Sequence, residues 1–94
     1  MEPTAESTNR VEVVEVVRRM VQEHARLPVD VSALADHDDL FAAGMNSLAS
    51  VSVMLGIENA FDVEFPDSML KRSVFQSISA LRAAVDQLLS EVGR

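Results

Sequence analysis

Apolar residues recur at steps of three and four in three stretches of the chain and lose that period between them. Over residues 9–24, NRVEVVEVVRRMVQEH, Val14, Val17 and Val21 with Val13 and Met20 beside them mark one face of a first helix. A strand competes, since six valines here each cost roughly half a kcal/mol against alanine in a helix. The length of the stretch and its Arg18-Arg19 break favour the helix. Over residues 46–62, NSLASVSVMLGIENAFD, two stripes fit helical spacing: Val53, Ile57 and Phe61 on one side, Leu48, Val51 and Leu55 on a neighbouring one. That is more apolar surface than a one-sided helix needs, so the second stripe calls for a partner. The last helix starts near Ser77 with Ile78, Leu81, Val85, Leu88 and Val92, the cleanest amphipathic pattern in the chain.

The intervening segments read as connectors. Residues 27–37 contain Pro28 and no sustained period, which predicts a long loop held to the core by Val29, Val31 and Leu34. Asp38 or Asp39 can cap a single turn through Leu40, Phe41, Ala42 and Ala43, with Gly44 at the left-handed position that ends it. Pro66 biases Phe65 out of the α region and so breaks the second helix; Asp67 is then expected to cap a short third one. Residues 1–8 carry too little apolar surface to offset the entropy of ordering and are expected to form a frayed tail. Residues 9–94 make a single domain, all-α, with no internal repeat.

Composition narrows what such a domain can do. Fifteen acids against eight bases give a net charge of −7, which repels a phosphate backbone or an anionic membrane and attracts basic protein surfaces. Four Phe with no Trp or Tyr offer no stacking platform for bases or sugars. Without cysteine there is neither disulfide, thiolate metal site nor cysteine nucleophile. No signal peptide or transmembrane stretch is visible, so a cytoplasmic monomer is expected.

Ser47 is the candidate for chemistry. It follows Asn46, a strong N-cap type, and stands at the head of a helix whose free N–H groups and dipole favour an anion, so a phosphodiester on its hydroxyl would be well placed. The gain, of order 0.3 to 1 kcal/mol at an exposed site, tolerates such a modification without creating it. Another enzyme has to attach the group.

The run Asp38-Asp39-Leu40-Phe41-Ala42-Ala43-Gly44-Met45-Asn46-Ser47-Leu48 resembles the acyl carrier protein signature of D-D-L-x-x-x-G-x-D-S-L type. Downstream, Val51, the Glu58-Asn59-Ala60-Phe61 helix end, Phe65-Pro66-Asp67 and the Phe75, Ser77, Ile78, Leu81 spacing continue the resemblance, which spans residues 11–90. It implies a four-helix bundle with a long first loop and a short third helix. It also implies a covalent 4′-phosphopantetheine on Ser47, flanked by Asn46 and Leu48, whose thiol carries cargo as a thioester. The carrier itself would catalyse nothing. Met45, Leu48, Val51 and Leu55 would face its partners: a phosphopantetheinyl transferase, a loading enzyme and a downstream acceptor.

Two departures refine this. Asn46 replaces the family's usual Asp, which keeps the cap and removes a charge that a transferase would read. Helix two carries only Glu58 and Asp62, near its far end, so its docking face is apolar and small. In these respects residues 40–67 are similar to the stand-alone bacterial carriers loaded by amino acid:carrier protein ligases, which implies an amino acid as cargo, with an acyl group as the alternative.

Plainer readings stand beside each of these. Ser47 can be an unmodified capping serine, or a nucleophile if His24 or His37 reaches it. Asp36-His37-Asp38-Asp39 reads as a solvated loop and helix cap before it reads as a metal site, because consecutive residues rarely converge on one ion. His24 is a cation at a helix C-terminus. Leu48, Val51 and Leu55 can be core, and Met54 fits either face. Lys71 and Arg72 are ordinary surface charges unless they meet the arm's phosphate or an acidic partner. Besides a carrier, a helical protein-interaction module and a very small hydrolase therefore stay open.

Overall fold

The computed structural model describes the backbone of residues 5–92 and the side chains of residues 12–91. Three α-helices run in the order α1 (Ala5–His24), α2 (Ser47–Phe61) and α3 (Ile78–Val92), with short 3-10 turns at Val31–Ala33, Asp67–Met69 and Arg72–Val74. The described residues contain no strand, so the all-α expectation holds. Where a short third helix was expected to follow from Asp67, the chain forms a 3-10 turn at Asp67–Met69 and, after Leu70 and Lys71, a second at Arg72–Val74. Asp67 does not cap them: Pro66 occupies the cap position of the first and makes no side-chain hydrogen bond. α1 begins four residues before the expected start, and residues 1–4 of the expected tail lie outside the described residues.

α1 packs against both other helices. Its buried face is Val13, Val17, Met20 and Val21, with Val14 half-buried on the flank. The valines that made a strand conceivable are outweighed, because burial is worth about 1.5 to 3 kcal/mol for such a side chain and helix propensity only roughly half a kcal/mol. From α2 come Val53 and Ile57, and from α3 Ile78, Leu81, Ala84, Val85 and Leu88. Phe61, expected to complete the inward stripe of α2, is half-buried against this core. Ser77 Oγ accepts from Ala80 N at 3.0 Å and caps α3, while Arg82 and Asp86 pair at 2.8 Å one turn apart on its surface.

The loop between α1 and α2 is tied down at both ends, and this fixes where α2 starts. Near its beginning, Arg18 Nη1 donates to Val31 O at 2.9 Å, Arg18 Nη2 meets Asp36 Oδ1 at 2.6 Å, and Val31 N donates to Gln22 Oε1 at 3.1 Å. Further along, Leu40 N donates to Gln76 O at 2.7 Å and Ser79 N to Asp36 O at 2.9 Å, so the loop is stitched to the head of α3. Val31 and Leu40 are buried and Leu34 is partly so, but Val29, expected as a third anchor, is exposed. Of the two candidate caps, Asp39 takes the turn: its Oδ1 accepts from Phe41 N at 2.9 Å and Ala42 N at 3.2 Å. Asp38 instead accepts from Ala35 N at 2.9 Å. Gly44 ends the turn at φ +123°, and a Cβ there would also stand 2.9 Å from Pro28 Cδ, so both backbone and space require glycine.

Candidate functional site

The end of that loop delivers Ser47 to the head of α2, and its neighbour does the capping. Asn46 is extended at φ −114° and ψ 180°, and its Oδ1 accepts from Ala49 N at 2.8 Å. The plainer reading of Ser47 as the capping serine is therefore corrected, and Asn46, the N-cap type the sequence also offers, takes that place. Ser47 is the first residue of the helix, its carbonyl accepts from Ser50 Oγ at 2.7 Å, and its side chain is exposed. The hydroxyl is left out of the cap while the positive end of the helix dipole remains beside it.

Beside Ser47 runs a groove of about 300 Å³ between α2 and the 3-10 turns. Phe41, Val51, Met54, Leu70 and Phe75 supply its apolar walls, Ser47 and Ser50 its hydroxyls, and Lys71 and Arg72 its only charged groups. The Arg72 guanidinium lies over the Phe41 ring, its Cζ 4.0 Å from the centroid, in a cation–π contact that steadies its charge at the groove. Phe75 is held from behind by Phe65, with centroids 5.6 Å apart and planes tilted by 31°. Sequence reasoning placed Lys71 and Arg72 beside the short third helix and preferred ordinary surface charge to a contact with the arm's phosphate; the structure puts both at the groove that holds Ser47. That reasoning did not assemble Phe41, Leu70 and Phe75 beside Ser47, since they come from three segments with no common period.

These residues fit a phosphodiester-linked arm. An accessible hydroxyl is within reach of an external enzyme, the helix N-terminus and two cations favour a phosphate, and the groove has the volume of a small-ligand pocket. Neither histidine lines the groove that holds Ser47. His24 lies instead against Gly56, and His37 is exposed in the loop. A serine–histidine pairing thus has no support in the geometry. Asp36, Asp38 and Asp39 are each engaged by loop or cap hydrogen bonds, which accounts for the Asp-His-Asp-Asp run structurally.

On the outer side of α2, Leu48, Val51 and Leu55 are 77%, 48% and 53% exposed. The two stripes drawn on this helix separate as expected, with Val53 and Ile57 fully buried and the second stripe facing out. Met45, expected among the partner-facing residues, is 4% exposed and belongs to the core. It lies in the connector before α2, where no helical period fixes the direction of a side chain. Glu58 is not a free docking charge, since its Oε2 accepts from Phe65 N at 2.8 Å and ties the end of α2 to the following segment.

Comparison with known proteins places this geometry among relatives. Residues 15–85 match the family described as the phosphopantetheine attachment site. The chain is 48% identical over 73 residues to the aminoacyl carrier protein of Agrobacterium fabrum, covering 78% of this chain and 88% of that one. It is 30% identical over 80 residues to the D-alanyl carrier protein of Streptococcus sanguinis, covering 84% and 92%. Among solved structures it superimposes at a TM-score of 0.77 and 45% identity on a chain of the crystal structure of an engineered Bradyrhizobium japonicum glycine:[carrier protein] ligase complexed with carrier protein from Agrobacterium tumefaciens and ATP. That match covers 80% of this chain and 97% of the other.

Proposed function

The chain belongs to the phosphopantetheine attachment family of carrier proteins, and from that premise we propose that Ser47 bears the arm and that the cargo is an amino acid. Carriers of this family hold and present cargo and are not catalysts. When bound, 4′-phosphopantetheine supplies a long flexible reach and a thiol that holds the cargo as a thioester. Asn46 caps α2 and keeps Ser47 accessible at the helix head. Leu48, beside the attachment point, forms with Val51 and Leu55 an apolar face on which partner enzymes dock. Residues 9–94 act as one carrier domain, and the pair of 3-10 turns at residues 67–74 fills the place of the bundle's short third helix.

The observation that carries this reading is the division of labour between Asn46 and Ser47: the cap bond belongs to Asn46, and the serine hydroxyl stays exposed. An amino acid as cargo is supported by the likeness to an aminoacyl carrier protein and to a chain from a complex with a glycine:[carrier protein] ligase. It is also supported by an α2 whose outer face lacks free carboxylates. Partners are then a phosphopantetheinyl transferase, an amino acid:carrier protein ligase and a downstream acceptor. No helix of the described residues is long and apolar enough to cross a membrane, and we place the protein in the cytoplasm as a monomer.

Intact-mass measurement after incubation with a phosphopantetheinyl transferase and coenzyme A tests the attachment: one phosphopantetheine is gained by the native chain and none by Ser47→Ala. The same absence in the native chain would leave the protein-interaction module as the better reading. Loading of the holo form with ATP, a ligase and single amino acids then gives a hydroxylamine-labile adduct. Loading by fatty acyl or malonyl transferases alone would replace the amino acid with an acyl group.

A further inference from the structure

The groove beside Ser47 has an uneven chemistry: its walls are apolar, it contains two cations, and no carboxylate lines it. We propose that Lys71 and Arg72 make this groove a charge filter for the carried group, which admits an uncharged acyl cap and keeps the α-ammonium of an aminoacyl cap out in solvent, where a partner can take it. The proposal rests on the attachment at Ser47 argued above and adds a specificity role for two residues.

An α-amino group titrates near pH 7.7 to 8.0, so at pH 7 an aminoacyl cap is mostly cationic. In the groove it would exchange hydration for Phe41, Val51, Met54, Leu70 and Phe75, with neutral hydroxyls but no anion to compensate it. It would also meet like charge. The phosphodiester linking an arm to Ser47 carries one negative charge against two cations, so the groove stays net positive. Arg72 cannot relieve the repulsion by swinging away without giving up its stacking on Phe41. An uncharged cap encounters neither penalty and gains the apolar walls.

The test compares two caps of nearly the same shape. The chain is loaded on Ser47 with hydrolysis-resistant amide analogues of phosphopantetheine ending in a glycyl or a propionyl group, which differ by an ammonium in place of a methyl. Nuclear Overhauser contacts from the cap to Phe41, Met54, Leu70 and Phe75 report entry into the groove. The propionyl form shows these contacts. The glycyl form shows them about fivefold more weakly, the size that one net like charge at about 4 Å imposes at near-aqueous dielectric. In Lys71→Glu/Arg72→Glu the glycyl contacts rise toward the propionyl level, and Lys71→Gln/Arg72→Gln, which removes the like charge and leaves the apolar walls, raises them part of the way. Equal contacts from both caps in the native chain, or glycyl contacts that do not rise at all when the charges are removed, overturn the filter while leaving the attachment intact. A chain that gains no analogue mass overturns the attachment and the filter with it.

Discussion

Gly56 on α2 lies against His24 at the end of α1, so close that a Cβ built on the glycine would stand 2.7 Å from the imidazole Cδ2 and 2.8 Å from Nε2. Met20 Sδ would follow at 3.1 Å. A glycine inside a helix normally costs about 1 kcal/mol relative to alanine, and here the close approach of two helices is what retains it. Gly56→Ala is expected to lower stability by about 1 kcal/mol, since overpacking of about 1 to 3 kcal/mol exceeds the propensity gain. Thermal unfolding checks this, and adding His24→Ala should recover most of the loss. An increase in Tm for Gly56→Ala alone would show that the imidazole moves aside freely.

Asn46 and Ser47 should separate cleanly in mutagenesis. Asn46→Ala removes the hydrogen bond to Ala49 N and costs about 1 kcal/mol, or roughly 4 to 8 °C in Tm for a domain of this size. Ser47→Ala changes stability by less than about 0.5 kcal/mol, as for an exposed side chain away from caps and core, and abolishes the phosphopantetheine mass gain. Circular dichroism melts and intact-mass spectra on the two variants give both numbers.

The outward stripe of α2 predicts how a loading enzyme reads the carrier. Leu48→Ala and Leu55→Ala should each raise the apparent KM for loading by about fivefold or more, the effect of losing an interfacial residue worth more than 1 kcal/mol, with kcat little changed. Steady-state loading kinetics with a ligase measures this. A drop in kcat without a change in KM would assign these leucines to the arm instead of the partner.

Glu58 is expected to behave as a structural residue despite its place on the docking helix. Glu58→Ala breaks the charge-assisted bond to Phe65 N, and the expected cost is about 1.5 to 3 kcal/mol in stability with no change in loading KM below the melting transition. Glu58→Gln, which keeps an acceptor, should lose less. Denaturant titration followed by loading assays on the folded variants distinguishes this from a docking charge.

Arg18 illustrates what the sequence does not display. It donates to Val31 O and pairs with Asp36, fastening the long loop to α1 from within a stretch that reads only as a charged break in a run of valines. Both partners are 13 to 18 residues away, and no local pattern links them. Arg18→Lys is expected to keep only one of the two contacts, because a point ammonium does not reproduce the guanidinium fork, and to speed limited proteolysis within residues 27–37.

The parts of the molecule that were legible share one property: a helical period long enough to fix phase. α3 shows its face through Ile78, Leu81, Val85 and Leu88, and α2 announces both its buried and its exposed stripe. Met45 and Val29 were assigned to the wrong environments because connectors have no phase. The 3-10 turn at Asp67–Met69 was read as a short helix, and the one at Arg72–Val74 was not read at all, because their lengths lie below what periodicity resolves. The sequence singles out Ser47 as the candidate through its spacing from Asp38, Asp39, Leu40 and Gly44, whereas the groove beside it exists only after three distant segments have met.

Because the bond that starts α2 belongs to Asn46, an arm on the neighbouring hydroxyl, as proposed, would ask nothing of the backbone. Bare, armed and charged-with-cargo forms would then share one fold, so an enzyme that must tell them apart would have to sense the appendage itself, and the domain could be reused through many cycles without rearranging.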